Sequence, residues 1–285
     1  MQITENIHAL KIPFSIPVAP DKRIPRMVHV YLIAGQQTAL VDSGVAGAEA
    51  IIFDYFETIG KGMGIDLLLF THAHPDHIGA AKAIRGKCNC RTASHANARR
   101  WIENIDQQFE ERPVPGFHSL IGGSVPLDSL LCDQDRIDLG NISLLVLHTP
   151  GHSKDSVTFF CPEEGVMICG DAIPQPGDLP IYEDPSASVQ SIRKMKNTSG
   201  VKHLLSSWCA PEPDANPHSR MDRGLAQLQK IHSLIRSLPD EEKHGDPMQL
   251  CAAMVRLLQL PEIAVNPLVA RSFASHLPYL NREVL

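Results

Sequence analysis

At 285 residues, with 43% hydrophobic and 20% charged side chains, the chain suits one large folded domain, or one domain plus a small appendage. A net charge of −6 and the lack of a long Lys/Arg run argue against a polyanion partner, so nucleic acid is not expected. No stretch approaches the roughly 18 uninterrupted apolar residues of a membrane span, and no membrane partner is expected. The N-terminus, MQITENIHALKIPF, has no basic start followed by an apolar core, so no secretory signal is readable, although a mature form with its signal removed would read the same. The 7 cysteines, an odd count scattered along the chain, read as reduced thiols in a cytoplasmic protein. Most of them are expected to be small buried apolar residues.

In chain order, residues 28–33 (VHVYLI) and 38–41 (TALV) predict two strands of a hairpin around Gly35-Gln36-Gln37. Residues 48–59 carry a helical stripe of Ile51, Ile52, Tyr55, Phe56 and Ile59, and residues 67–70 form a short apolar run that reads as a buried strand. A helix is expected near 77–84, a short strand near 90–92 and another helix near 96–105. Residues 106–131 mix Gly, Pro and apolar residues without a period, the composition of a lid or substrate loop. Strands are then expected at 142–147, 157–161 and 166–169, a helix near 188–196 and a last strand at 203–205. From about residue 216 onward, Asn216-Pro217, Asp246-Pro247 and Asn266-Pro267 each open an apolar-periodic segment, a polar N-cap followed by proline at the first helical position. The expected organisation is a catalytic domain over 1–215 and a small helical region over 216–285.

The chemistry concentrates in Thr71-His72-Ala73-His74-Pro75-Asp76-His77-Ile78-Gly79, directly after the strand at 67–70. In extended backbone, side chains two apart point the same way, so His72 and His74 can grip one ion together. Pro75 then bends the chain and lets Asp76 and His77 address a second position close by. Imidazoles with a carboxylate suit zinc, iron or manganese. Three histidines and an aspartate within six residues are hard to explain as a solvated loop. Two further pieces each end a predicted strand: His148-Thr-Pro-Gly-His152-Ser153 and Gly170-Asp171.

In order and approximate spacing these motifs resemble the metallo-β-lactamase superfamily, and Asp42-Ser43-Gly44 is similar to that family's Asp-(Ser/Thr)-Gly turn; the likeness spans roughly residues 25–210. The resemblance implies an α/β fold, a four-layer αββα sandwich, here with a C-terminal helical appendage. It implies one or two transition-metal ions, zinc first and iron or manganese as alternatives. His72, His74 and His152 would hold the first metal, Asp76 and His77 the second, with Asp171 bridging, while Asp42 would support the loop without binding metal. The implied activity is hydrolysis of a small ester, thioester, lactone or phosphoester by a metal-activated water or hydroxide that Asp76 orients. The partner is then a small-molecule substrate, and a homodimer is left open. A mononuclear iron oxygenase similar to persulfide dioxygenases, using His72, His152 and Asp171, is an alternative, as is a sensor with a degraded second site. One departure stands out: the family's last histidine falls here on Trp208, whose indole N–H only donates. Trp208 is expected to cost the second site a ligand and to offer an aromatic wall to substrate; Cys209 could substitute as a thiolate.

Overall fold

A computed structural model describes residues 1–19, 22–60, 64–212 and 215–285. The chain divides into two compact units. The first comprises Met1–His148, Asp155–Gly170 and Gly200–Asp214; the second comprises Thr149–Lys154, Asp171–Ser199 and Ala215–Leu285.

The first unit holds both sheets. Six strands, β1 (Ile7–Ala19), β2 (Lys22–Ala34), β3 (Thr38–Val41), β4 (Leu67–Leu69), β5 (Arg91–His95) and β6 (Ser129–Leu131), lie in sequence order in one sheet, antiparallel up to β3 and parallel from β3 to β6. A second sheet runs β11-β10-β9-β8-β7, from β7 (Arg136–Asp138), β8 (Ser143–His148), β9 (Val157–Cys161), β10 (Val166–Ile168) and β11 (His203–Leu205). The alternation of side chains along a strand assigns each residue to a core. On β2, Tyr31 and Ile33 join Leu144, Val146 and Phe159 of the second sheet in an inter-sheet core, while Val28, Val30 and Leu32 face the other way. That outer face is covered by Ile52, Phe53 and Phe56 of α1 (Ala48–Thr58), Ile84 of α3 (Ala81–Cys88) and Trp101 and Ile102 of α4 (Arg99–Glu103). Between them lies α2 (Pro75–Ile78), and α5 (Ile105–Glu111) and α6 (Phe117–Leu120) follow α4.

The hairpin expected at 28–41 is present, but it belongs to a longer ribbon. β1 pairs with β2 from Ile7↔Ile33 to Ala19↔Lys22. Pro13, Pro17 and Pro25 mask this stretch in the sequence, because proline removes a ladder donor. The topology accommodates them: β1 is an edge strand, and β2 meets β3 only from Tyr31 to Ala34, so Pro25 lies beyond that pairing. The segment 106–131 is likewise less irregular than expected and contains α5, α6 and β6. Its helices are too short to show a 3.6-residue period.

The second unit is helical. It contains α7 (Pro185–Lys196), α8 (Pro217–Ser237), α9 (Asp240–His244), α10 (Pro247–Leu257) and α11 (Pro267–Ala274). The three polar-proline caps form as expected: Asn216 Oδ1 accepts from His218 N, Asp246 Oδ1 from Met248 N, and Asn266 Oδ1 from Leu268 N and Val269 N. Asp184-Pro185 caps α7 in the same way. The apolar stripes of α8, α10 and α11 meet in one core through Ile231, Ile235, Leu250, Met254, Val269 and Phe273. No helix among the described residues is long and apolar enough to cross a membrane.

Two glycines give a paired test of the packing in the first unit. A Cβ at Gly79 would lie 2.2 Å from the Leu120 carbonyl oxygen and 2.6 Å from Val45 Cα, all backbone that cannot yield easily. Gly86, inside α3, has nothing within 4 Å of such a Cβ. Gly79→Ala is expected to cost about 3 kcal/mol by overpacking, whereas Gly86→Ala should gain about 0.5–1 kcal/mol through helix propensity. Denaturant unfolding of both variants measures the difference, and similar stabilities would show that the Gly79 backbone relaxes.

Candidate metal centre

The parallel strands deliver their C-terminal ends to one edge of the first sheet, the place where open α/β sheets build sites. β3 leads into Asp42 and β4 into Thr71 and His72. Asp42 is 1% exposed and takes a left-handed φ of 62°, a conformation that Asp tolerates better than most residues. Its N–H donates to Leu69 O (2.7 Å), its Oδ1 accepts from Thr71 N (2.8 Å), and its Oδ2 accepts from Thr71 Oγ1 (2.8 Å) and His77 Nδ1 (2.8 Å). Ser43 adds a second tie, its N and Oγ both donating to His77 O at 2.7 and 3.0 Å. One turn thus holds both ends of the 71–77 loop.

Within that loop His72, His74 and His77 are 1%, 4% and 0% exposed. His74 ends the extended stretch at ψ 152°, and Pro75 starts α2 at its first position, so the sequence bends where Asp76 begins to differ in direction from His74. The hydrogen bonds fix the ring tautomers. A carboxylate only accepts, so His77 Nδ1 carries the proton toward Asp42 and its Nε2 keeps the lone pair, 3.5 Å from Asp76 Oδ2. The Thr71 hydroxyl spends its proton on Asp42, so it accepts from His72 Nδ1 at 3.1 Å and leaves the His72 Nε2 lone pair 3.0 Å from His74 Nδ1. The His72 and His77 rings lie 4.0 Å apart. Buried imidazoles with lone pairs converging, His72 steadied from behind by Thr71 and His77 by Asp42, fit a transition-metal cation.

The second unit holds its own pair. His152 Nδ1 donates to Ile181 O at 2.7 Å, which leaves the Nε2 lone pair 3.5 Å from Asp171 Oδ2, both side chains being 8% exposed. The His152 loop is strapped down: Glu183 N and Asp184 N donate to Gly151 O (2.7 and 3.0 Å), Ser191 Oγ to Pro150 O (2.6 Å), and Lys154 N to Glu183 Oε2 (3.0 Å). Gly151 sits at φ 136°, and a Cβ there would lie 2.3 Å from Ser188 Oγ. Only glycine meets both demands.

The structure therefore brings His72, His74, Asp76 and His77 together in the first unit, and His152 and Asp171 together in the second. Trp208, half-buried after β11, packs edge-on against Phe14 of β1 with ring centroids 6.2 Å apart. Its turn is pinned by His29 N donating to Ser207 O (2.7 Å) and by Tyr31 Oη donating to Ser206 O (2.7 Å). Burial lowers the His29 pKa. His203 is a strand residue of β11, and Cys209 is half-buried. At the ends of β5 and β8, His95 and His148 stack 4.1 Å apart and 4° from parallel; burial first, and the facing imidazole second, pull the His95 pKa down. Sequence reading named Asp42 as a support of the loop and missed three others, Thr71 behind His72 and Asp155 and Gln108 on the Ala73 backbone. Thr71 is visible as the hydroxyl before the first histidine, and Asp155 as the last carboxylate before a buried strand, but nothing in the sequence singles out Gln108.

The family model described as "Metallo-beta-lactamase superfamily" matches residues 23–201. A probable metallo-hydrolase of Bacillus subtilis (strain 168) is 31% identical over 191 residues, covering 65% of this chain and 85% of that protein. A hydroxyacylglutathione hydrolase of Hahella chejuensis is 28% identical over 148 residues, covering 51% of this chain and 47% of that one, so the chain spans about half of that relative. Among solved structures, a metallo-beta-lactamase family protein from Thermus thermophilus superposes with a TM-score of 0.73 at 21% identity, covering 98% of this chain and 94% of the other. The chain belongs to the metallo-β-lactamase superfamily and is a hydrolase of that fold.

Proposed function

We propose that the chain is a metal-dependent hydrolase of small acyl thioesters or esters, active in the cytoplasm, with zinc as its first-choice metal and iron or manganese as alternatives. The observation that carries this reading is how the first unit holds the chain just after His152 and just before Asp171. Asp155, three residues after His152, accepts from Ala73 N at 2.8 Å, between the two histidines of the loop. Val157 N donates to Thr71 O at 2.8 Å. Gly170, immediately before Asp171, lies so close to Thr71 that a Cβ there would be 2.7 Å from its Oγ1. Residues flanking both remaining candidates thus touch the histidine loop, which supports His72, His74 and His152 as holders of one ion, Asp76 and His77 of a second, and Asp171 of both.

A metal held there supplies acidification of water and polarisation of the scissile carbonyl. The protein's own part is to orient and to move protons. In this reading Asp76, whose side chain is 15% exposed, aligns the attacking water and receives its proton. Asp42 keeps His77 in one tautomer throughout. The hydroxyacylglutathione hydrolases among the relatives carry thioester cleavage in their name, which favours a thioester over a lactone or phosphoester. Metal analysis beside a panel of generic thioester, ester, lactone and phosphoester substrates tests the reading. Zinc or manganese with thioester turnover and no oxygen uptake is expected. Iron with oxygen consumption would replace it by an oxygenase, and little metal with no turnover by a sensor.

Trp208 bears on how many ions are held. In place of an imidazole it leaves the second position one nitrogen short, and Trp208→His is expected to raise the number of tight sites from one to two. Titrating metal into apo protein counts them; two tight sites in the wild type would mean that Cys209 or another residue completes the second site.

A further inference from the structure

The backbone of Ala73, lodged between His72 and His74, is held at both its N–H and its carbonyl by buried side chains. Its N–H donates to Asp155 Oδ2 at 2.8 Å, and its carbonyl accepts from Gln108 Nε2. Asp155 and Gln108 are 2% and 0% exposed. Gln108 is the buried residue of α5 (IDQQFEE), whose Ile105 and Phe109 pack half-buried on the core and whose start is capped by Asn104 Oδ1 accepting from Gln107 N. A second tie joins the same segment to the loop: the Trp101 ring stacks on His74 at 6.5 Å, and its Nε1 donates to Glu111 Oε2 at the end of α5, at 2.7 Å.

Gln108 gives up something for this contact. Its Oε1 is buried and has no hydrogen-bond partner among the described residues, a defect that commonly costs about 1–3 kcal/mol. A leucine or methionine would fill the slot without that cost. An amide in the slot is explained by what its other end does at Ala73.

We propose that Gln108 is a positioning residue for metal binding: by fixing the Ala73 carbonyl against the Asp155 clamp on its N–H, it sets the angle between the His72 and His74 rings and so the affinity of the ion they share. This rests on the metal reading above. Rotation of the 73–74 peptide would swing His74 Nδ1 away from His72 Nε2, and Gln108 blocks that rotation.

The test is metal affinity, measured by competition with a chromophoric chelator on wild type and Gln108→Met, with zinc as the probe. Methionine keeps the volume and burial but cannot donate. A purely structural role leaves affinity unchanged in this variant, whereas positioning is expected to weaken it roughly 10–100-fold, the usual effect of losing a partner that orients a ligand. Should the methionine variant not fold, Gln108→Leu serves, since it also fills the slot and cannot donate; the same weakening is expected. Wild-type zinc affinity in whichever variant folds overturns the proposal while leaving the metal reading intact. A wild-type protein that binds no zinc, iron or manganese overturns both.

Discussion

Replacing His72 and His74 together by alanine is expected to leave the purified protein with almost no bound metal and to lower hydrolysis about a thousandfold or more. The two rings supply adjacent ring nitrogens, 3.0 Å apart, inside a loop that is nearly inaccessible to solvent. Their removal leaves at most one imidazole of the set His72, His74 and His152, too few for a tight site. The fold should survive, because the sheet core behind the loop (Leu40, Leu68, Phe70 and Ala73) is untouched. Elemental analysis and circular dichroism on the same sample separate the two effects. Full metal content in a folded double variant would remove the basis for placing the site in this loop.

The second large effect is expected at Asp42. Its carboxylate accepts three hydrogen bonds, from Thr71 N, Thr71 Oγ1 and His77 Nδ1, and it is 1% exposed. Asp42→Ala leaves those buried donors without an acceptor and forces alanine into a φ of 62°. The combined cost is about 3–5 kcal/mol of stability, with metal affinity down roughly 10–100-fold as His77 loses its fixed tautomer. Asp42→Asn tolerates the left-handed backbone and keeps one accepting oxygen, so it should recover part of the stability but less of the affinity. Denaturant unfolding of the apo proteins, with metal titration alongside, tests both. Equal stability of Asp42→Ala and wild type would show that the loop stands without its brace.

What could be read in the sequence follows from which interactions are local. The strands β3, β4 and β9 are short apolar runs with a turn or a motif at their ends, and they appear where their composition places them. The caps of α8, α10 and α11 are two-residue signals, polar then proline, and they needed no tertiary context. The histidine motif is local too. β1 was not legible, because its prolines are tolerable only at an edge, and an edge is a property of the whole sheet. The short helices between residues 105 and 120 carry too few turns for a hydrophobic period to register. The contacts that Gln108 and Asp155 make are illegible for a further reason. Their partner is a backbone peptide 35 and 82 residues away in sequence, and any peptide looks the same from its sequence.

The central proposal is that His72, His74 and His152 hold one ion. Anomalous scattering at the absorption edge of the bound metal, in crystals of the metal-loaded protein, locates that ion directly. A peak about 2.0–2.1 Å from His72 Nε2, His74 Nδ1 and His152 Nε2, the distance of a zinc–imidazole bond, is the expected result. A peak that reaches the histidine loop but not His152, or metal located away from all three rings, would contradict it.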